Sequence, residues 1–277
     1  MKVLCSTGAL LGKPNGRDYR LLERLSKELN CDGFEFMMYN DWYEGMEEML
    51  VYLKQLKLYI PVVHCEKSIG RCFGIGTEEE LVRGFKMFEK DCHLAKKLSA
   101  EKLVLHLWGG MVSDSNFESN LTSYEKLAAI AQEYELELMI ENVVCNVKEP
   151  MTRWCQLVER YPEVSLIFDT KMAAFHGQLE LLYTKEYEWL WKDGYIRHYH
   201  VSDYGGGLMD WANLRSLPIG KGNINFDAFG DFLRKTGYKG MITVETTGFD
   251  SEGNIDVEML NECIEKVRFD VEKDLYK

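Results

Sequence analysis

No stretch of this 277-residue sequence is apolar for the ~20 residues that a membrane span needs. A bilayer is therefore not an expected environment. No two of the eight cysteines, at 5, 31, 65, 72, 92, 145, 155 and 263, have CxxC spacing. They lie scattered through apolar segments, where reduced thiols behave as small hydrophobes, and a reducing compartment fits that pattern. The opening MKVLCSTG has no signal-peptide layout, and with the cysteines it predicts a cytoplasmic protein. Positive charge is in short supply: 33 Lys and Arg stand against 45 Asp and Glu, a net charge of −12. Such a surface repels phosphate backbones and anionic membranes, so no nucleic acid and no membrane partner are expected. No Ser/Pro-rich linker and no internal sequence repeat breaks the chain, which predicts one domain over 1–277.

Hydrophobic residues make up 46% and charged residues 28%, ordinary for a globular chain. At this length a core can form without staples. Eight short apolar runs, rich in β-formers, read as strands: 2–7, 33–38, 59–65, 102–108, 137–143, 165–170, 197–203 and 241–247. Most are nearly continuous, as strands buried on both faces are. Helical patterns separate them. Residues 18–29 carry Leu21, Leu22, Leu25 and Leu29 on one stripe. Residues 77–98 open with Thr77 and Glu80 at capping-box spacing, and 119–134 and 255–273 are similar. Strand and helix alternating eight times, about 35 residues per unit, predict an α/β fold, the (β/α)8 TIM barrel. A doubly wound open sheet is the runner-up. It usually shows a Gly-rich turn after its first strand, which STGALLGKPNG resembles only loosely.

Six successive strands offer one metal-capable residue near their C-terminal ends: His64, His106, Glu141, Asp169, His200 and Glu245. In a barrel those ends converge on one face, where active sites form. A lone acid at a strand end is more often a helix cap, and a lone histidine is usually a satisfied core group. Six in register are harder to explain that way. Buried acids and imidazoles at one mouth repel or stay unsatisfied without a cation. Glu141, Asp169, His200 and Glu245 form a mixed ligand set suited to one divalent ion, Mn²⁺, Mg²⁺, Co²⁺ or Zn²⁺. No cysteine joins them, which speaks against a structural zinc.

The motifs IENV, FDT, HVSD, LPIGKGNINF and ITVE, in that order, resemble those of the xylose isomerase-like TIM barrels. That superfamily holds sugar isomerases and epimerases, inosose dehydratases and the endonuclease IV type of DNA-repair enzyme. The resemblance covers nearly the whole chain and is most specific from strand five onward. It implies that Glu141, Asp169, His200 and Glu245 bind one divalent metal. It also implies that Glu141 and Glu245 act as the acid/base pair on the two faces of a ketose or aldose, through an enediolate. LPIGKGNINF, whose glycines alone leave a phosphate cradle open, becomes a rim loop beside the site. Two other activities remain: a lyase or dehydratase acting on a polyol or keto-sugar with the same ion, and a phosphodiesterase of the nuclease type.

Several positions depart from the family. The histidine common three residues after the strand-six aspartate is Met172 here, and His176, four residues on, is expected at the surface. The Asp-x-His pair of the endonuclease branch is replaced by Leu214 and Ser216 around Arg215, so a third metal lacks ligands. In that branch the residues matching His64 and His106 hold a second metal; in isomerase members they line the substrate pocket, which is the expectation here. Trp108, Trp42, Tyr43 and Trp211 offer faces for sugar stacking or rim packing. Lys67, Arg71 and Arg215 are candidates for polar or anionic substrate groups. The expected partner is a small carbohydrate, and since such barrels often pair, a homo-oligomer is among the expected states.

Overall fold

The computed structural model describes residues 1–272. Eight strands hydrogen-bond in chain order into a closed barrel. They are β1 (Lys2–Ser6), β2 (Gly33–Met37), β3 (Val62–His64), β4 (Lys102–Leu105), β5 (Glu137–Glu141), β6 (Ser165–Asp169), β7 (Ile196–Val201) and β8 (Met241–Val244). The parallel pairing of β8 with β1 closes the ring and rules out the open doubly wound sheet, which would end in two edges. Each expected strand forms at its place but shorter. Pro61, which has no N–H to give a ladder, precedes β3. His106 and Glu245 fall one residue beyond β4 and β8.

Among the described residues ten α-helices lie between and after the strands, two of them in each of the β3–β4 and β6–β7 connections: α1 (Leu22–Glu28), α2 (Met46–Leu56), α3 (Ile69–Ile75), α4 (Glu78–Lys97), α5 (Phe117–Glu133), α6 (Pro150–Arg160), α7 (Thr170–Phe175), α8 (Trp189–Lys192), α9 (Phe226–Thr236) and α10 (Val257–Glu272). In α4 the Thr77 hydroxyl accepts from the Glu80 amide. Three glutamates fill the first turn and two lysines the last, matching the helix dipole at both ends. α1 is shorter than its leucine stripe, because residues 19–21 form a 3-10 turn capped by the Asp18 side chain. Lys273, the last residue of the expected 255–273 helix, lies outside the described residues. No helix among the described residues is long and apolar enough to cross a membrane.

Contacts gather into two compact units. One is Met1–Glu35 with the chain from Phe168 onward, and the other is Phe36–Ile167. In the first, β8 pairs with both β7 and β1, setting His200 opposite Thr243 and His198 opposite Met241. Its core includes Leu4, Tyr199, Phe229, Leu233 and Val244. In the second, β3 to β6 pair in order, with Glu141 opposite Ile167. There α3 presses onto the chain after β4. A Cβ at Gly70 would lie 2.1 Å from the His106 carbonyl oxygen, so only glycine fits. Asn120 Nδ2 donates to the Gly70 and Leu107 carbonyls at 3.1 and 2.7 Å and holds that approach.

Candidate functional site

In the Phe36–Ile167 unit, strand ends deliver His64, His106 and Glu141, all buried, with ligand atoms within 4.8 Å of one another. His64 Nδ1 lies 2.7 Å from the Cys65 carbonyl oxygen. A carbonyl only accepts, so Nδ1 carries the hydrogen and Nε2 is the acceptor end of the ring. That Nε2 is 3.4 Å from Glu141 Oε2. His106 Nε2 approaches the same oxygen at 2.7 Å, and the two rings meet edge-on at 4.9 Å. Burial pushes the His106 pKa down to about 4. Glu141 opposes that shift, while His64 and Lys67 add to it. His106 is thus neutral at neutral pH, with an Nε2–H that can donate to Glu141.

The other unit holds Asp169, His200 and Glu245, whose ligand atoms also lie within 4.8 Å of one another. Asp169 ends β6 and caps α7: its Oδ1 accepts from the Met172 amide at 2.7 Å. His200 Nδ1 faces Glu245 Oε2 at 3.6 Å. Glu245 Oε1 is buried with no hydrogen-bond partner among the described residues.

Two residues of this unit escaped the sequence reading. Glu35, fully buried in β2, approaches His200 Nε2 at 2.9 and 3.0 Å through its two oxygens. It also accepts from Thr243 Oγ1 at 2.8 Å. His198 Nε2 sits 2.8 Å from Thr243 Oγ1 and 3.3 Å from Glu35 Oε2. Burial alone would raise the Glu35 pKa, but the two imidazoles outweigh it and hold the carboxyl well below the usual range. Signals for both were present: an acid amid the apolar run GFEFMM, and two histidines at i, i+2 in RHYHVSD.

With Nε2–H directed at Glu35, His200 Nδ1 is a lone pair facing a carboxylate. Two acceptors aimed at one place require a cation between them, either a second proton on the ring or a metal ion. Asp169, a third hard oxygen donor within the same 4.8 Å, fits a divalent ion.

The glycine loop is resolved by Asp203. Its Oδ2 accepts from the Gly220 and Gly222 amides at 2.9 and 2.8 Å, and its Oδ1 from Ile224 at 3.0 Å. A Cβ at Gly222 would lie 2.4 Å from Asp203 Oδ1. The anion these amides hold is the chain's own carboxylate, which makes the loop a braced rim and not a phosphate cradle.

The model of the xylose isomerase-like TIM barrel family matches residues 24–263. The chain belongs to that family. Among solved structures, a D-tagatose 3-epimerase-like protein is similar at 19% identity and a TM-score of 0.70, with 99% of this chain and 100% of that chain covered. D-psicose 3-epimerase from Clostridium cellulolyticum H10, solved with D-tagatose, is similar at 12% identity and a TM-score of 0.70, covering 98% and 99%. The IolI protein, solved with a zinc atom, is similar at 17% identity and a TM-score of 0.68, covering 99% of each chain. At such identities the likeness is one of fold. No curated protein matches the chain.

Against this family's pattern, His176 corrects an expectation. It is buried, not on the surface, with its ring edge-on to Phe175 at 5.0 Å. Trp108 also changes role. It is fully buried, its indole N–H donates to the Val143 carbonyl at 3.0 Å, and its ring packs on Phe117. It is a wall residue with no exposed face for a sugar. Trp42 packs on Phe36 and Tyr39, and the Tyr43 hydroxyl donates to Asp91 at 2.9 Å. Trp211 keeps half its surface exposed while touching Phe175. Lys67 and Arg215 are exposed loop residues, and Lys171 Nζ donates to Ser216 Oγ at 3.0 Å.

Proposed function

We propose that this protein is a divalent-metal-dependent isomerase or epimerase of a small sugar or sugar phosphate. Membership of the family and the epimerase neighbours of like fold support the reaction class. The observation that carries the reading is the Asp169–His200–Glu245 group, with the Nδ1 end of His200 turned to Glu245. Glu141 is the proposed fourth ligand. It pairs in register with Ile167, and β6 ends two residues later at Asp169. Mn²⁺, Co²⁺, Zn²⁺ and Mg²⁺ all suit this oxygen-rich set with one imidazole.

A divalent ion held there supplies positive charge that stabilises the developing enediolate. Glu141 takes the proton from the carbon beside the carbonyl on one face, and the C–H electrons move to the carbonyl oxygen. Glu245, entering the turnover protonated, returns a proton on the opposite face as the carbonyl re-forms. The proton has then passed from Glu245 to Glu141, and exchange with solvent resets the pair. His106 and His64, whose Nε2 atoms lie 2.7 and 3.4 Å from Glu141 Oε2, flank that carboxylate and fix its direction at the substrate. Lys67 and Arg215 are placed on loops for the polar or anionic end of the sugar. Leu214 and Ser216, where the nuclease branch carries metal ligands, weigh against phosphodiester cleavage.

The test is hydrogen exchange. Metal-loaded protein is incubated with a panel of free and phosphorylated ketoses and aldoses in D₂O, and deuterium at the carbon beside the carbonyl is followed by NMR. Incorporation with isomer formation supports the proposal. Loss of water from the substrate would make it a dehydratase instead. No incorporation into any sugar, or full rate in Glu245→Gln, would sink it.

A further inference from the structure

We propose that Glu35 is the positioning residue of this centre: by accepting the Nε2 proton of His200 it holds the ring in the tautomer and orientation that turn Nδ1 towards Glu245. The inference rests on reading Asp169, His200 and Glu245 as ligands, yet its first test needs no bound ion.

A carboxylate in the middle of an apolar strand is costly unless paired. Glu35 sits between Phe34 and Phe36, with no exposed surface. Its partners are arranged with one direction of donation. Thr243 has a single hydroxyl proton and lies 2.8 Å from Glu35 Oε2, so it donates there. Thr243 Oγ1 then accepts from His198 Nε2–H at 2.8 Å. Glu35 is an acceptor at every contact, so His200 Nε2 must be the donor of the 3.0 Å hydrogen bond to Oε2. A neutral imidazole with Nε2–H has its lone pair on Nδ1.

Register makes this arrangement a property of the fold. His200 lies opposite Thr243 across β7 and β8, and β1 joins β8 to β2, which carries Glu35. One carboxylate oxygen, Oε2, takes the ring and the hydroxyl together, with Oε1 2.9 Å from the same ring nitrogen. A flip of the imidazole would put a carbon against Glu35 and forfeit a charge-assisted bond. Such an acceptor behind a ligating histidine sets both its tautomer and its basicity.

Wild-type protein stripped of metal and labelled with ¹⁵N-histidine is measured first, by long-range ¹H–¹⁵N NMR. His200 is expected to carry a hydrogen on Nε2, with or without a second proton on Nδ1. A ring whose only hydrogen is on Nδ1 overturns the proposal. Glu35→Gln keeps the shape but removes the negative charge to which His200 and Thr243 both donate, and puts an amide NH₂, which cannot accept, in place of one oxygen. It should mix the tautomers and weaken Mn²⁺ binding, read by EPR of free ion, on the order of 10–100-fold. Thr243→Val removes the hydroxyl yet spares the contact with His200, and should leave the tautomer and Mn²⁺ affinity unchanged. Unchanged Mn²⁺ affinity and tautomer in a folded Glu35→Gln protein also overturn it. If Glu35→Gln does not fold, the wild-type and Thr243→Val tautomers decide. If wild-type protein binds no Mn²⁺, the metal reading fails, while the tautomer still tests what Glu35 does.

Discussion

Acidification should unfold this protein partly through a single ring. His106 has its pKa lowered from 6.5 to about 4 by burial. Between those values the unfolded chain binds a proton that the folded chain refuses. Stability is therefore fully present above pH 6.5 and drains away as the pH falls towards 4. Two and a half pH units at 1.36 kcal/mol each amount to about 3 kcal/mol, a large part of a typical domain's stability. The physical cause is geometric. His106 is 6% exposed, has His64 edge-on at 4.9 Å, and has one carboxylate oxygen at 2.7 Å as its compensation. Urea denaturation at a series of pH values, with chelator present, measures the effect in wild type and in His106→Gln, whose amide can still donate to Glu141. Other carboxylates titrate in both proteins, so the difference between the two curves isolates the ring. Wild type should lose about 3 kcal/mol relative to the variant between pH 7 and 4. Parallel curves, or a His106 ring-proton signal that titrates near 6.5, would refute the reasoning.

Four further substitutions probe the site and its supports. Glu141→Gln and Glu245→Gln should each lower deuterium exchange at least ~10³-fold while circular dichroism stays unchanged, because each removes a proton carrier and keeps the shape. Asp114→Ala should cost about 3–5 kcal/mol in chemical denaturation, since it strips a buried Arg153 of its partner. It also leaves the Asn146, Val147 and Lys148 amides, now 2.8–3.0 Å from that carboxylate, without an acceptor. Gly70→Ala should lose about 1–3 kcal/mol by overpacking against the His106 carbonyl. It should also shift the His106 ring resonances, and a variant with wild-type midpoint and spectrum would show that the approach of α3 is looser than drawn.

Most of the barrel was legible because periodicity reports burial. KLVLHLW and SLIFDT are strands that helices cover on one side and side chains on the other, so every position favours an apolar residue. Strand ends were less legible: β4 stops at Leu105, short of the expected 108, because hydrophobicity does not mark where ladder pairing ends. The residues expected at the mouth were found by their place at strand ends. Glu35 and His198 lie inside strands, where the same search does not look. Trp108 shows the opposite failure. An aromatic beside a candidate histidine suggests a sugar platform, but the choice between platform and wall depends on where its N–H finds an acceptor. That acceptor, the Val143 carbonyl, is 35 residues away in the chain.

Two of the buried imidazoles that face carboxylates, His64 and His200, turn opposite nitrogens to Glu141 and Glu245, and their places in the strands explain why. His64 is the last residue of β3, where the chain leaves the ladder and the carbonyl of the next residue can turn back to the ring. A local acceptor captures Nδ1 and sends Nε2 towards Glu141. His200 lies inside β7, where backbone carbonyls are committed to neighbouring strands, so its acceptor must be a side chain from another strand. Glu35 provides it and captures Nε2, which sends Nδ1 towards Glu245. In each case the nitrogen left to face an acid is decided by what holds the other nitrogen, and neither holder is itself a ligand candidate at a strand end. A substitution that moves either holder should therefore reach the site without touching it. For His64 the holder is a backbone carbonyl, which no side-chain change removes. The adjustable control of this family member's centre accordingly falls on the one holder that is a side chain, the carboxylate of β2.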